Sequence, residues 1–408
     1  MLVALSIRMK AATVPSGSTL RYKWVTSHPE FLALREQWEL LGSSAIKTVF
    51  LTHDWLSAWL AELGKDAELH VATAWDGERL AAALPLFGTR DRGRGRHCAF
   101  MGTGTLTPNH LDVIAAPAHR ERTRAEFTKM VLEAHADWDV VEFDKLPADS
   151  ETVEFLETAF ESAGLSTSCG VSAVCPYCDL PATYEEYFAS RKRSIRKKIR
   201  EVGRWLGREP DRVLSLTRSE DESLDALAHL VRFHQARWQG KGYPGAFADP
   251  AVVRFHEQMV RAAWRAGYLR IHTLTIAGEI AAVSYNYRMG PTVQGYLSSF
   301  DWTWADAAPG VLLRNYVMER CIAEGATRFD FLEGNEGYKA DWCTSERENL
   351  RLVAFNRTLA GSASRLKHAA DETTVRVARK LVPPDLRERA VKALARRAAP
   401  KPPSEGGE

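Results

Sequence analysis

Apolar residues recur along this chain with two alternating periods. Phe31, Leu34, Trp38 and Leu41 step by three and four residues and mark one face of a helix. Trp55, Leu56, Trp59, Leu60 and Leu63 mark a second helix. The period then falls to two. Leu69, Val71 and Thr73 alternate, Asp76-Gly77 supplies a turn, and Leu80 to Leu84 returns, which predicts a hairpin. A helix over 120–136 and a buried strand from Asp139 to Phe143 follow.

The same succession recurs about 200 residues later. Helical stretches over 222–238 and 250–266 precede a second hairpin, in which Leu269, Ile271, Thr273 and Thr275 alternate and Gly278 turns. Gly77-Glu-Arg-Leu-Ala-Ala-Ala parallels Gly278-Glu-Ile-Ala-Ala-Val with one deletion. A helix over 310–324 and a strand at Arg328-Phe-Asp-Phe complete the second copy. The expected fold is α/β of the α+β type: two tandem units, each a mixed, mostly antiparallel sheet flanked by helices. The expected boundaries are a disordered arm over 1–20, a first lobe over 21–165, a second over 166–360, and a basic helical tail with a disordered tip over 361–408.

Composition narrows this picture little. At 408 residues, with 45% hydrophobic and 26% charged residues, the chain has the make-up of a soluble globular protein of about two to three domains. No apolar run approaches the roughly 20 residues of a membrane span. The N-terminal run Leu2 to Ile7 lacks a basic lead and a cleavage site, so a cytoplasmic protein is expected. The formal net charge of +2 gives no cause to expect a DNA partner.

Local charge is more informative. Seven of the ten residues in Arg191–Arg200 are cationic, while Ile195, Ile199, Val202 and Leu206 form an apolar stripe. The cations are either a solvated helix surface or a wall for a phosphate-rich ligand. The tail over 361–408 carries 11 Lys and Arg against 6 Asp and Glu, and contact with anionic lipid is one reading of it. Cys175-Pro-Tyr-Cys178 has dithiol spacing, but a turn rather than a helix follows it. Its thiols are read as small strand residues. A zinc site would need a second ligand pair beside these cysteines, none has suitable spacing, and no metal is expected.

The densest chemistry lies in Thr327–Trp342. A buried strand, Thr327 to Leu332, runs into a loop holding Glu333, Asn335, Glu336, Tyr338, Lys339 and Trp342. Just upstream, Pro309 and Gly310 open a helix whose first N–H groups, at Gly310, Val311 and Leu312, are free to hold an anion.

Several pieces in this order resemble the Gcn5-related (GNAT) acetyltransferases. Specifically they resemble the two-lobed bacterial BioF2-like or cellulose-biosynthesis CelD-like acyltransferases, relatives of the Fem peptidyltransferases. The pieces are Phe50–Trp55, Leu84–Phe87, Pro176–Pro181, Tyr184–Tyr187 with the basic helix, His234–Trp238, Tyr296–Asp301, Pro309-Gly310 and the Glu336-to-Trp342 loop. The chain departs from that pattern at Asn335, where an acidic residue is usual, and at Gly337, where Pro is usual. Of the family's diphosphate loop only Gly310 remains.

The resemblance implies two GNAT-like lobes and direct N-acyl transfer from acetyl-CoA or another acyl-CoA to an amine of a small-molecule or glycan precursor. A Fem-like transferase using aminoacyl-tRNA and a non-catalytic scaffold are the alternatives. Such a transfer needs a base for the attacking ammonium and an acid for the leaving thiolate. Glu336 is the candidate base, or else a salt-bridge partner of Lys339, and Tyr338 is the candidate acid. His234, Arg237 and Trp238 share a helix face that either grips the acceptor or simply packs. Asp330, Lys339 and Trp342 complete the expected substrate-binding set. Gly310, Val311 and Leu312 are the expected donor-binding residues.

Overall fold

A computed structural model describes residues 19–91, 95–207, 212–334 and 337–381. In chain order the elements are β1 (Arg21–Val25), α1 (His28–Leu32), α2 (Arg35–Ala45), α3 (His53–Glu62), β2 (Glu68–Asp76), β3 (Arg79–Asp91), β4 (Gly95–Phe100), β5 (Ile114–Ala115), α4 (Arg120–Glu133), β6 (Val140–Pro147), α5 (Glu151–Ser162) and β7 (Ser166–Asp179). The second half adds α6 (Tyr184–Ser190), α7 (Arg193–Leu206), β8 (Val213–Leu216), α8 (Glu220–Gly240), α9 (Pro250–Arg265), β9 (Leu269–Ile276), β10 (Glu279–Met289), β11 (Thr292–Phe300), α10 (Pro309–Ala323), β12 (Arg328–Asp330), β13 (Ser345–Phe355) and α11 (Leu359–Leu381).

The repeat read from the sequence is present in the strand pairing. β1, β2, β3 and β4 pair antiparallel in succession, and β4 then pairs β6 in parallel. β8, β9, β10, β11 and β12 repeat that pattern, with β11 and β12 as the parallel pair. Both hairpins turn through left-handed backbone, at Gly77 (φ 61) in the first and at Ala277 (φ 51) and Gly278 (φ 81) in the second.

The two units share one sheet of thirteen strands. Each lends the other a strand. β7, which follows the first unit, lies beside β12; β13, which follows the second, lies beside β6; and β7 and β13 pair along nearly their whole length. The exchange buries long-range backbone pairing at the centre of the molecule and joins the two units covalently and by hydrogen bonds.

The stripe Phe31, Leu34, Trp38 and Leu41 is buried, but the backbone breaks it into α1 and α2. Ser27 caps α1 by accepting from the Glu30 N–H, and Pro29 lies in its first turn. One large core joins the first unit to α8, α9 and the facing side of β9 and β10, through Leu227, Phe233, Phe255, Ile271 and Tyr285. A second core lies under α6, α7 and α10, through Tyr187, Ile195, Ile199, Leu274, Leu313 and Val317. No helix among the described residues is long and apolar enough to cross a membrane.

Candidate active site

The parallel pair β11–β12 is held at three positions only, the last being Gln294 with Asp330. Beyond that point the chain leaves β11. The Phe331 N–H donates to the Pro176 carbonyl of β7 at 2.9 Å, so the strand after Asp330 stays with β7. β11 continues to Phe300 without its partner, and the sheet opens between them. Gly295, Tyr296, Leu297 and Ser298 are accordingly half-buried in the middle of an otherwise closed sheet. Gly295 sits at the apex, where a Cβ would come within 2.7 Å of the Phe329 ring.

A β-bulge marks the same place. Asn286 faces Gly295 and Tyr285 faces Leu297, leaving Tyr296 as the extra residue. Its ring rests against His256 at 5.3 Å and Trp55 at 5.5 Å.

The mouth of this opening is bridged by Arg314 from α10. Its Nη2 donates to Ser298 Oγ at 2.9 Å. Its guanidinium lies 4.5 Å from the Tyr338 ring and 5.4 Å from the Phe331 ring. Beside it, α10 begins with left-handed Ala308 (φ 47) and no side-chain cap. The Val311 N–H already donates to the Ala308 carbonyl at 3.0 Å, so of the three expected donor-binding residues Val311 is engaged within its own turn. The Leu312 side chain is buried in the core under α10, leaving only its backbone for a ligand.

The expected substrate residues separate into distinct environments. Tyr338 is 39% exposed at the mouth. Lys339 is buried, and its Nζ donates to the carbonyls of Glu333 at 2.9 Å and Leu332 at 3.4 Å. Trp342 is buried in the core below α10. Asp330 does not face the opening: it is fully buried, with both oxygens engaged by His110, Arg347 and the Leu332 N–H. Burial alone would raise its pKa, but the His110 hydrogen bond and the charges of His110 and Arg347 outweigh it and hold the carboxyl below its usual range. The strand is also shorter than the sequence reading, because Leu332 turns left-handed (φ 54) as Asp330 captures its N–H. Glu336 and Asn335 lie outside the described residues.

His234, Arg237 and Trp238 lie on α8, against the opposite core from α10. The Trp238 indole N–H donates to His234 Nε2 at 2.9 Å. Burial lowers the His234 pKa, and because Nε2 accepts from Trp238 the neutral ring carries its proton on Nδ1. His234 Nδ1 and Arg237 Nε have no hydrogen-bond partner among the described residues. Phe247 and His256 connect this group to Tyr296 by successive ring contacts of 5.1, 5.4 and 5.3 Å.

The basic segment divides in two. Arg191 is buried over the Tyr187 ring, and its Nη1 donates to the Trp342 carbonyl at 2.8 Å. It is therefore a structural residue and not part of a ligand wall. Arg193, Lys197, Arg200 and Arg204 are exposed along one stripe of α7, with Arg196 half-buried beside them, while Ile195, Ile199 and Val202 are buried. α7 packs against α10 and reaches the turn before it, where Trp205 meets Trp304.

Cys175 and Cys178 end β7 and open no helix. Burial pushes the Cys175 thiol up to about 12 and raises Cys178. Cys175 is more than filler: its Sγ donates to Asn109 Oδ1 at 3.3 Å and accepts from Asn349 at 3.4 Å. Among the described residues, no group of His, Cys, Asp and Glu side chains is placed to hold a metal ion.

Residues 189–340 match the family model described as the acetyltransferase (GNAT) domain. The second lobe carries a GNAT-type acetyltransferase domain. The match begins before α7 and ends in the loop after β12, so it encloses the opening, the α10 start and Tyr338, and it makes the chain an acyltransferase. Solved structures extend the likeness across both lobes. FemX is similar with a TM-score of 0.58 and 11% identity over 81% of this chain and 96% of its own. The C-terminal domain (DUF2156) of a putative lysylphosphatidylglycerol synthetase from Agrobacterium fabrum gives 0.51 and 13% over 84% and 96%. A conserved protein of unknown function from Bacteroides thetaiotaomicron gives 0.50 and 13% over 83% and 100%. At these identities the likeness is one of fold. No curated protein matches the chain by sequence.

Arg314 carries no mark in the sequence reading, and Tyr296 and Ser298 enter it only within the Tyr296–Asp301 piece, without a place in the site. Arg314 lies four residues past the Pro-Gly start, on the helix face above the loop. A bulge such as that at Tyr296 leaves no mark in single-residue alternation.

Proposed function

We propose that this protein is a two-lobed N-acyltransferase of the BioF2-like or CelD-like group. It moves an acyl group from acetyl-CoA or another acyl-CoA to an amine of a sugar or another cell-envelope or polysaccharide precursor in the cytoplasm. The observation that carries the reading is the opening between β11 and β12, bulged at Tyr296, with an uncapped helix start on one side and Tyr338 at its mouth. The acceptor class rests on the sequence resemblance.

The donor fits the groups present. The start of α10, which has no side-chain cap, and its dipole suit a diphosphate, and the exposed cations of α7 suit further phosphate. The acyl end would lie in the opening, where bulge backbone can polarise its carbonyl. The amine nitrogen bonds to the acyl carbon as the carbon–sulfur bond breaks. Glu336 takes one proton from the ammonium so that the neutral amine can attack, Tyr338 protonates the leaving thiolate, and the second proton shed by the amide nitrogen returns to the Tyr338 phenolate. His234 Nδ1–H and Arg237 Nε–H, without a hydrogen-bond partner among the described residues, offer donors to an acceptor hydroxyl or carboxylate on the far side of the bulge.

A transferase using aminoacyl-tRNA is the second reading, favoured by the length of the α7 cationic stripe. Thermal shift with acetyl-CoA, longer acyl-CoAs and CoA separates the two. A donor at 100 times its dissociation constant should stabilise the protein by about 2.7 kcal/mol. No shift with any of them, together with salt-sensitive tRNA binding, would replace the first reading by the second.

A further inference from the structure

The loop after β12 belongs to the second lobe by sequence, but its hydrogen bonds lead into the first. His110 lies between β4 and β5 with left-handed backbone (φ 60) and a buried ring. Its Nδ1 faces Asn349 Oδ1 at 2.9 Å and its Nε2 faces Asp330 Oδ2 at 3.0 Å. Asn349 is oriented by its own amide N–H groups, which reach Asn109 Oδ1 at 3.2 Å and Cys175 Sγ. The second oxygen of Asp330 accepts the Leu332 N–H at 2.8 Å.

Leu332 needs that bond. A γ-branched residue with φ 54 is in a conformation that L side chains avoid, and it persists where surrounding contacts over-determine it. The turn at Leu332 aims its carbonyl, with that of Glu333, at the Lys339 ammonium next to Tyr338. A second first-lobe residue grips the same loop. Lys145 of β6, itself left-handed (φ 65), is ion-paired with Glu333. The two grips are tied together, because the Leu111 N–H donates to the Lys145 carbonyl at 2.9 Å.

We infer that His110 and Lys145 of the first lobe are positioning residues that set the backbone turn at Leu332 and Glu333 in the second, and through it the place of Lys339 and Tyr338. The inference rests on the proposed acyl transfer for its catalytic consequence, but not for its structural content. It gives the first lobe a task in the reaction. A buried carboxylate is costly without hydrogen-bond partners, and those of Asp330 come from His110 of the first lobe, from Arg347 and from the Leu332 N–H, so the shape of this turn depends on the packing of the two lobes. The wrong placement of Tyr338 by even a short distance would slow transfer without loosening the donor, which the α10 start holds independently.

The test is hydrogen exchange on the full chain, comparing wild type with His110→Ala, Lys145→Met and Lys145→Arg. The Leu332 amide reports directly. Its exchange should rise by about tenfold or more in the Ala and Met variants, with amides of β10 unchanged and Lys145→Arg close to wild type. Acetyl-CoA affinity should stay within about twofold, while transfer from acetyl-CoA to glucosamine, used as a probe amine, falls by about tenfold. Unchanged Leu332 exchange in both variants, or an equal rise across β10, overturns the inference. If His110→Ala does not fold, the Lys145 pair decides alone, since Lys145 is only partly buried and Lys145→Arg keeps its charge. A wild-type protein that transfers to no amine and binds no acyl-CoA would count against the proposed function, and Leu332 exchange would still decide this coupling.

Discussion

Arg314 lies 4.5 Å from the Tyr338 ring while donating to Ser298 at 2.9 Å, so one side chain of α10 spans the gap between β11 and the loop beyond β12. This contact couples the helix that would receive the donor to the residue expected to protonate its leaving group. Arg314→Lys keeps the charge but loses the planar fork that can stack on Tyr338 and hydrogen-bond Ser298 together. Transfer should fall by about tenfold, with melting temperature little changed. A Lys variant of normal rate would reduce Arg314 to a surface cation.

Tyr338→Phe removes the proposed acid and keeps the ring under Arg314. The rate should fall, and less than for loss of the base, because water can protonate the thiolate. An unchanged rate would leave Tyr338 as a packing partner of Arg314.

Glu336→Gln is the corresponding test of the base. Turnover should drop by about 100-fold with donor affinity preserved. Raising the pH should partly restore the rate, since more of the acceptor amine is then neutral. Near-normal turnover would assign Glu336 to pairing with Lys339.

The exposed α7 cations can be separated from the buried one. Replacing Arg193, Lys197 and Arg200 by Gln should weaken a phosphate-bearing donor, most at low ionic strength, and leave stability nearly intact. Arg191→Gln should instead lower the melting temperature, because it leaves the Trp342 carbonyl without its donor and empties the space over Tyr187. Equal behaviour of the two variants would contradict this division.

Acid should destabilise the fold before carboxylates titrate. Burial pushes the His256 pKa down to about 3 and that of His272 to about 4. Both lie below the unfolded value near 6.5, so the unfolded chain binds more protons as pH falls below that point. Stability should therefore decline from about pH 6.5 downward, by up to about 1.4 kcal/mol per pH unit for each group. Denaturant midpoints across pH 7 to 4.5 measure it, and His256→Phe should flatten the slope. A midpoint that stays level down to pH 4.5 would show that these rings are not neutral in the fold.

The alternation of periods along the chain determined the elements and their repetition. Both hairpins, the helix at 120–133, the long pair at 220–240 and 250–265, and the helix opened by Pro309 stand close to where the spacing puts them. These features are local: a period of two or 3.6 is a property of neighbouring residues, and a Pro-Gly start or a Gly turn acts within one turn of chain. The motifs that carried the GNAT resemblance are local too.

Tertiary structure alone decided what lies far apart in sequence. Exchange of β7 and β13 between the units depends on pairing across more than a hundred residues, and either strand's alternation suits either neighbour. The burial of Asp330 followed from that exchange, since its partners His110 and Arg347 come from the first lobe and from β13. An Asp beside a reactive loop reads as a ligand group when only its neighbours in sequence are known. The same holds for Arg191, one cation among seven until the fold set it over Tyr187 and turned its neighbours toward solvent. A helix face fixes which residues share a side, but the partner that covers that side is chosen by the rest of the chain.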